Sequence, residues 1–368
     1  MQAFIPTLHG LRGLAALAVV LFHWDALFPA FKEAYGSVGF VGDQWNLFMQ
    51  IEFGWLGVPL FFVLSGYLLG GQLKHQQLTG ATLIHFWRRR FMRIYPAVWL
   101  QLTILALISY WLPSLLPSTS TPELIRNALL WINMPPWMTK PINGVWWTLP
   151  IELSFYIALP LLILLQRKIG WIATTAACFA LAISWRYAVI EALPSSHYVK
   201  HLPVLDMLPG SISSFAAGFA ISFLDIRWSK LQWRAACASS IGVFLALQYW
   251  QLSHKEVYWS GHWILVIWNP AMAAAIALMV YCAIHPQCRG AILGSRPLVW
   301  LGEISFGIYL WHFPAQQALL ALDQDYWGTP AASALALALC LLITLPLAAM
   351  SYYWVEKPIM GWRKTRST

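Results

Sequence analysis

Apolar runs close to 20 residues long recur along the whole 368-residue chain, separated by short polar stretches. A helix rises about 1.5 Å per residue, so each run is long enough to cross a hydrocarbon core of about 30 Å. The pattern predicts ten spans, near residues 8–28, 55–73, 94–112, 146–165, 170–189, 205–224, 235–252, 262–283, 303–322 and 332–355. The expected fold is therefore all-α, a polytopic membrane protein of about ten transmembrane helices.

Composition strengthens this reading. Hydrophobic residues make up 59% of the chain and charged ones only 10%, against about 25% charged in a soluble domain. The 23 Trp and 14 Tyr suit the two membrane–water interfaces. A net charge of +9 invites a nucleic-acid reading, but the basic residues sit in short loops between apolar runs. If the N-terminus lies inside, 16 of the 23 Lys and Arg fall on the inner side and 6 on the outer side, Arg186 among them. The positive-inside rule thus accounts for the charge without nucleic acid and predicts cytoplasmic termini, the C-terminal one carrying Arg363, Lys364 and Arg366.

The five Cys form no CxxC pair and do not alternate with His at ligand spacing, so neither a disulfide framework nor a metal site is expected. No basic segment precedes the first apolar run, which argues against a cleaved signal peptide. The longest outer loop, about 113–145, carries Pro113, Pro117, Pro122, Pro135, Pro136 and Pro141. A short helix is expected in it near 123–132, capped by Thr121 with Glu123 in its first turn. No internal repeat is visible, and residues 1–368 are expected to form one membrane domain with no appended soluble domain.

Ionisable residues inside apolar runs carry the candidate chemistry, because they are costly there unless paired or used. Arg12 and His23 lie eleven residues apart in LHGLRGLAALAVVLFHW. That is close to three helical turns, so they share one face about 16 Å apart. A cation near the entrance and an imidazole deeper in suit a long ligand with a phosphate head and a reactive tip, such as CoA. HFWRRRFMRIYP holds Arg88, Arg89, Arg90 and Arg93 on the inner side. Guanidinium forks match phosphate oxygens, and Arg90 and Arg93 share a helix face. Glu152, in NGVWWTLPIELSFY, is expected at a depth similar to that of His23. It either orients and charges the imidazole or binds acceptor hydroxyls. The neighbouring Trp146 and Trp147 are either belt residues or a surface for stacking on a sugar. Tyr309 and His312, in ISFGIYLWHF, share a face near mid-membrane. Ser65, in LFFVLSGYLLGG, is also at mid-depth, where it or Gly66 can instead serve close helix packing.

The stretches GLRGLAALAVVLFH, FFVLSGYLL, RRRFMRIYP, WWTLPIELSFY and SFGIYLWH, in this order, resemble the acyltransferase-3 family of integral-membrane acyltransferases. Residues between about 165 and 300 add hydropathy only. The resemblance implies transfer of an acyl group, commonly acetyl, from cytoplasmic acyl-CoA to a hydroxyl of a cell-surface or lipid-linked carbohydrate. The setting it implies is a cytoplasmic, bacterial inner membrane. His23 matches the family's catalytic histidine, Arg12 the basic residue before it, and Arg90 and Arg93 the pair placed to hold the CoA phosphates, with Arg89 beside them. His9 departs from the acidic residue that many relatives carry before GLRG. A transporter or flippase for a lipid-linked sugar is the rival reading, since it also needs many spans and buried polar groups.

Overall fold

The computed structural model describes residues 4–36, 39–41, 45–46, 48–112, 119–195, 197–288, 292–323 and 325–361. Pro113, Pro117, Arg289, Arg363, Lys364 and Arg366 lie outside the described residues. Apart from a two-stranded antiparallel ribbon, Gly39–Val41 with Trp45–Asn46, the regular structure described is helical.

All ten expected segments fall on helices. Length and apolarity mark seven of them as membrane-crossing, and an eighth is a bent pair. The seven are Pro6–Leu27, Phe48–Leu73, Gly80–Trp111, Gly144–Ile169, Trp171–Ala192, Ile264–Ile284 and Pro330–Gly361. The bent pair, Tyr198–Leu205 and Leu208–Ile221, turns by 62° where one straight span over 205–224 was expected. Pro209 sits in the first turn after the break, where a missing N–H costs nothing and a fixed φ starts a new helix. The remaining two, Lys230–Ser253 and Ser305–Leu322, are helical but diluted by amides and hydroxyls such as Gln248, Gln316 and Ser305.

The chain divides into two compact units. One comprises Met1–Leu11, Val58–Leu83 and Ile151–Val299. Its centre is the crossing of Gly57–Leu73 with Leu208–Ile221, where Phe215 stacks on Phe62 at 4.4 Å and on Phe155 at 4.1 Å. The helices approach this closely because glycine faces backbone on both sides. A Cβ on Gly66 would stand 2.0 Å from the Phe215 carbonyl oxygen, and one on Gly218 would stand 1.9 Å from that of Val63. Small residues let helices pack backbone to backbone in a membrane, where apolar contact alone does not hold them together. Gly66→Leu is therefore expected to destabilise the fold by at least about 2 kcal/mol. Gly80→Ala, which meets nothing within 4 Å, should leave thermal unfolding in detergent unchanged.

Arg186 belongs to this unit. It is a fully buried side chain paired with Asp206, and it donates to the Gly210 carbonyl at 3.2 Å. The two form an internal ion pair beside the bent helix.

The other unit comprises Arg12–Gly57, Ile84–Pro150 and Trp300–Thr368. The first helix is pinned here by side chains that seek backbone carbonyls. Gln316 Nε2 donates to Val20 at 3.0 Å, Trp24 Nε1 to Ser333 at 2.7 Å, and Ser333 Oγ to Phe28 at 2.6 Å. Beyond its C-terminal end, Lys32 bridges Asp25, at 3.4 Å, and Glu52.

In the long loop the short helix spans Thr121–Ala128, earlier than expected, and its cap is Ser120 instead of Thr121. Glu123 accepts from the Ser120 backbone N–H at 3.1 Å and from its hydroxyl at 2.6 Å. These bonds hold the exposed carboxyl below the usual range, the hydroxyl first.

Candidate functional site

The second unit brings together most of the residues expected to carry chemistry. His23 and His312, 289 positions apart, meet with His312 Nε2 3.1 Å from His23 Nδ1. His312 is fully buried and His23 partly so. Phe313 meets the His23 ring edge to face at 4.9 Å.

The surrounding carbonyls assign the protons. His312 Nδ1 lies 3.0 Å from the Ile308 carbonyl oxygen, which can only accept, so Nδ1 carries the proton. In the neutral ring Nε2 is then an acceptor. His23 Nδ1, which faces both that nitrogen and the Val19 carbonyl at 3.0 Å, must be the donor. The tautomer inferred from this chain of bonds leaves His23 Nε2 with its lone pair, the arrangement a general base requires.

Arg12 and His23 do share a face, and both reach the same neighbour. Arg12 Nη2 donates to Ser305 Oγ at 3.1 Å while His23 meets His312 on the same Ser305–Leu322 helix. Ser305 and His312 are seven residues apart, two turns, and so project from one side. Two of the phosphate-binding candidates share a neighbour. Arg93 and Arg12 both act electrostatically on Glu356, which is buried and accepts from Ser351 Oγ at 3.3 Å. Arg93 also points Nη1 toward Met360 Sδ at 3.8 Å. Arg90 is half-buried over the Phe86 ring, and Arg89 is exposed. Sequence reasoning missed Glu356. Its only signal was a carboxylate placed just before the basic tail.

The Tyr309 ring stands 6.0 Å from that of His312, but its hydroxyl is engaged elsewhere. That group donates to the Val145 carbonyl at 2.6 Å and faces Thr148 Oγ1 at 2.8 Å. Beside it lies a polar knot that sequence reasoning also missed. Pro314, inside the helix, has no N–H for the carbonyl of Leu310 one turn back. That freed oxygen accepts from Gln101 Nε2 at 2.7 Å and from Asn143 Nδ2 at 2.8 Å. Gln101 Oε1 in turn accepts from Asn143 at 3.1 Å and from Trp146 Nε1 at 2.8 Å. Gln101, Asn143 and Trp146 are fully buried. The knot ties three chain segments together two residues from His312. A lone amide in an apolar run, Gln101 in AVWLQLTIL, was the available clue. The Trp146 ring is enclosed and has no face open for stacking on a sugar, whereas Trp147 is half-buried.

Glu152 and Ser65 belong to the first unit and find each other there. Ser65 Oγ donates to Glu152 Oε1 at 3.3 Å, and Tyr156 Oη donates to the same oxygen. Ser65 is thus a polar partner, and the close packing expected of this pair of residues falls to Gly66 alone. The group on His23 Nδ1 is His312, so the orienting position that sequence reasoning offered to Glu152 is filled by an imidazole. Among the described residues, no group of three or more His, Cys, Asp or Glu is placed to hold a metal ion.

The fold and site define an integral membrane protein of many helices whose second unit holds a hydrogen-bonded imidazole pair, with Arg12 about three turns away on the helix of His23. The chain matches the acyltransferase-domain profile of the acyltransferase-3 family over residues 5–349 and belongs to that family. It is similar to the peptidoglycan O-acetyltransferase OatA of Listeria monocytogenes, at 25% identity covering 97% of this chain and 56% of that protein. It is similar as well to the O-acetyltransferase OatA of Staphylococcus aureus, at 24% identity covering 97% of this chain and 57% of that one. The chain therefore spans just over half the length of these relatives. No solved structure matches it.

Proposed function

We propose that this chain is an inner-membrane O-acetyltransferase that moves acetyl from cytoplasmic acyl-CoA to a hydroxyl of a cell-wall glycan. The observation that carries the reading is the proton chain through His312 and His23, which leaves His23 Nε2 able to take a proton. Membership of an acyltransferase family and similarity to peptidoglycan O-acetyltransferases support the reaction class and the acceptor class.

In the proposed reaction the acceptor hydroxyl gives its proton to His23 Nε2 as its oxygen attacks the thioester carbonyl carbon. The C–S bond breaks, and the thiolate leaves with the proton returned from the imidazolium. The Nδ1–H bond to His312 and to the Val19 carbonyl keeps the ring in the reactive tautomer and lets it carry positive charge briefly. Arg12, Arg90 and Arg93, with Arg89 at the rim, hold the CoA phosphates, and the Glu356 carboxylate balances the charge of Arg12 and Arg93 before the donor arrives. Glu152, with Ser65 and Tyr156, binds acceptor hydroxyls; Tyr309 and Trp146 position the helix that carries His312, and Trp147 contacts the acceptor. Both termini lie in the cytoplasm.

Calorimetric titration of acetyl-CoA into the detergent-purified protein tests the donor assignment. Saturable binding that weakens about tenfold in Arg93→Gln is expected, the loss of one charge-assisted hydrogen bond. Unchanged affinity in Arg93→Gln, or no binding of any acyl-CoA by folded protein, would remove the donor from the reading.

A further inference from the structure

Outside the imidazole site, the second unit builds another feature in the loop between Gly80–Trp111 and Thr148–Ile169. A cleft of about 410 Å³ is lined by Thr121, Pro122, Ile125, Arg126, Leu129, Trp131 and Trp137, within the size range of small-molecule sites. Two large indoles stand open there, Trp131 at 40% exposure and Trp137 at 55%. Their ring centroids are 6.1 Å apart and the planes are inclined at 67°, so the rings form two walls of a corner. The Arg126 guanidinium stands 4.9 Å from the centroid of Trp137, and its Nη1 reaches Thr139 Oγ1 at 3.4 Å.

The corner is preorganised. Asn127 is fully buried beneath it. Its amide donates to the carbonyls of Glu123 at 2.9 Å and Lys140 at 3.2 Å, and it accepts from the Ile142 N–H at 2.8 Å. Trp131 Nε1 donates to the Pro135 carbonyl at 3.0 Å, and its backbone N–H donates to that of Arg126 at 2.8 Å. Leu130, Asn133 and Met138 hold left-handed φ of 55°, 52° and 46°. Asn tolerates that region, but Leu and Met adopt it only when their surroundings impose it, and such positions concentrate at binding sites.

We infer that Trp131, Trp137 and Arg126 form a subsite for an acidic glycan strand, one whose sugar rings carry carboxylates. The apolar C–H face of a pyranose fits against an indole wall, and the guanidinium fork matches a carboxylate. The inference deepens the proposed function and rests on it. The subsite holds the polymer while a hydroxyl further along the strand is acylated. The segment leaving the corner, Pro141 to Trp147, leads directly into the polar knot beneath His312.

The test measures acetyl transfer from acetyl-CoA to unacetylated peptidoglycan strands and, separately, to a monosaccharide acceptor. Trp131→Ala and Trp137→Ala should each raise KM for the strands about tenfold, leaving kcat and monosaccharide transfer unchanged. Arg126→Gln should do the same for strands and have no effect on strands whose carboxylates are amidated. Trp137→Phe, which keeps a stacking face, should recover most of the loss and shows that folding is intact. Unchanged KM for strands in both alanine variants, with transfer active, overturns the subsite while sparing the proposed function. An effect of the variants that tracks only the lipid of the reconstituted vesicles also overturns it, marking the two indoles as belt residues. Absence of transfer to either acceptor in the wild type refutes the proposed function instead. In that event direct titration of the strands decides the subsite: equal affinity in wild type and Trp137→Ala overturns it, and a tenfold loss upholds it.

Discussion

Replacing His23 by Ala is expected to slow acyl transfer by about 10²- to 10⁴-fold, the range a positioned general base supplies. Acyl-CoA binding should stay intact because, of the arginines expected to hold the donor, Arg12 lies about three helical turns away and Arg89, Arg90 and Arg93 stand on another helix, Gly80–Trp111. The ring is only partly buried, so its removal leaves a small void and the protein should stay folded. Transfer assayed in vesicles with the acceptor on the outer side checks this. A near wild-type rate would exclude His23 from proton transfer.

The second large effect is expected at His312. His312→Phe keeps the volume and the aromatic contacts but takes away the acceptor for His23 Nδ1–H. His23 then keeps only the Val19 carbonyl as an acceptor for Nδ1–H and loses the imidazole that supports its positive charge. A fall in kcat of about 10²-fold with little change in KM is expected. His312→Gln, which offers an amide oxygen, should recover part of it. A purely structural role predicts otherwise: the two variants would lose activity in proportion to lost thermal stability, with no difference between Phe and Gln at equal stability.

The apolar runs placed the long helices, because burial in lipid demands length and apolarity and both are written locally. The bend between Leu205 and Leu208 was not legible. It falls where Pro209 opens a new helix beside the Arg186–Asp206 pair, which hydropathy cannot express. The face shared by Arg12 and His23 was readable from 3.6-residue periodicity. What that face meets was not, because Ser305 and His312 come from the far end of the chain. Tyr309 and His312 share a face by spacing, yet they serve different partners, Val145 and His23. Sequence also favoured a carboxylate as the orienting group, on the pattern of a triad. A second imidazole fills that place, since a buried neutral ring can both donate through Nδ1 and accept through Nε2 without bringing a charge into the membrane. The knot of Gln101, Asn143 and Trp146 escaped notice for a related reason. Its centre is a backbone carbonyl released by Pro314, and a freed acceptor leaves no mark on a side-chain pattern.

The most direct test reconstitutes wild type and His23→Ala into vesicles, supplies labelled acetyl-CoA on the side of the termini and unacetylated glycan strands on the other. The account predicts alkali-labile acetyl ester on the strands with wild-type protein, and at least a hundredfold less with the variant. Equal labelling by both proteins, or sugar crossing the membrane with no acetyl transferred, would contradict it.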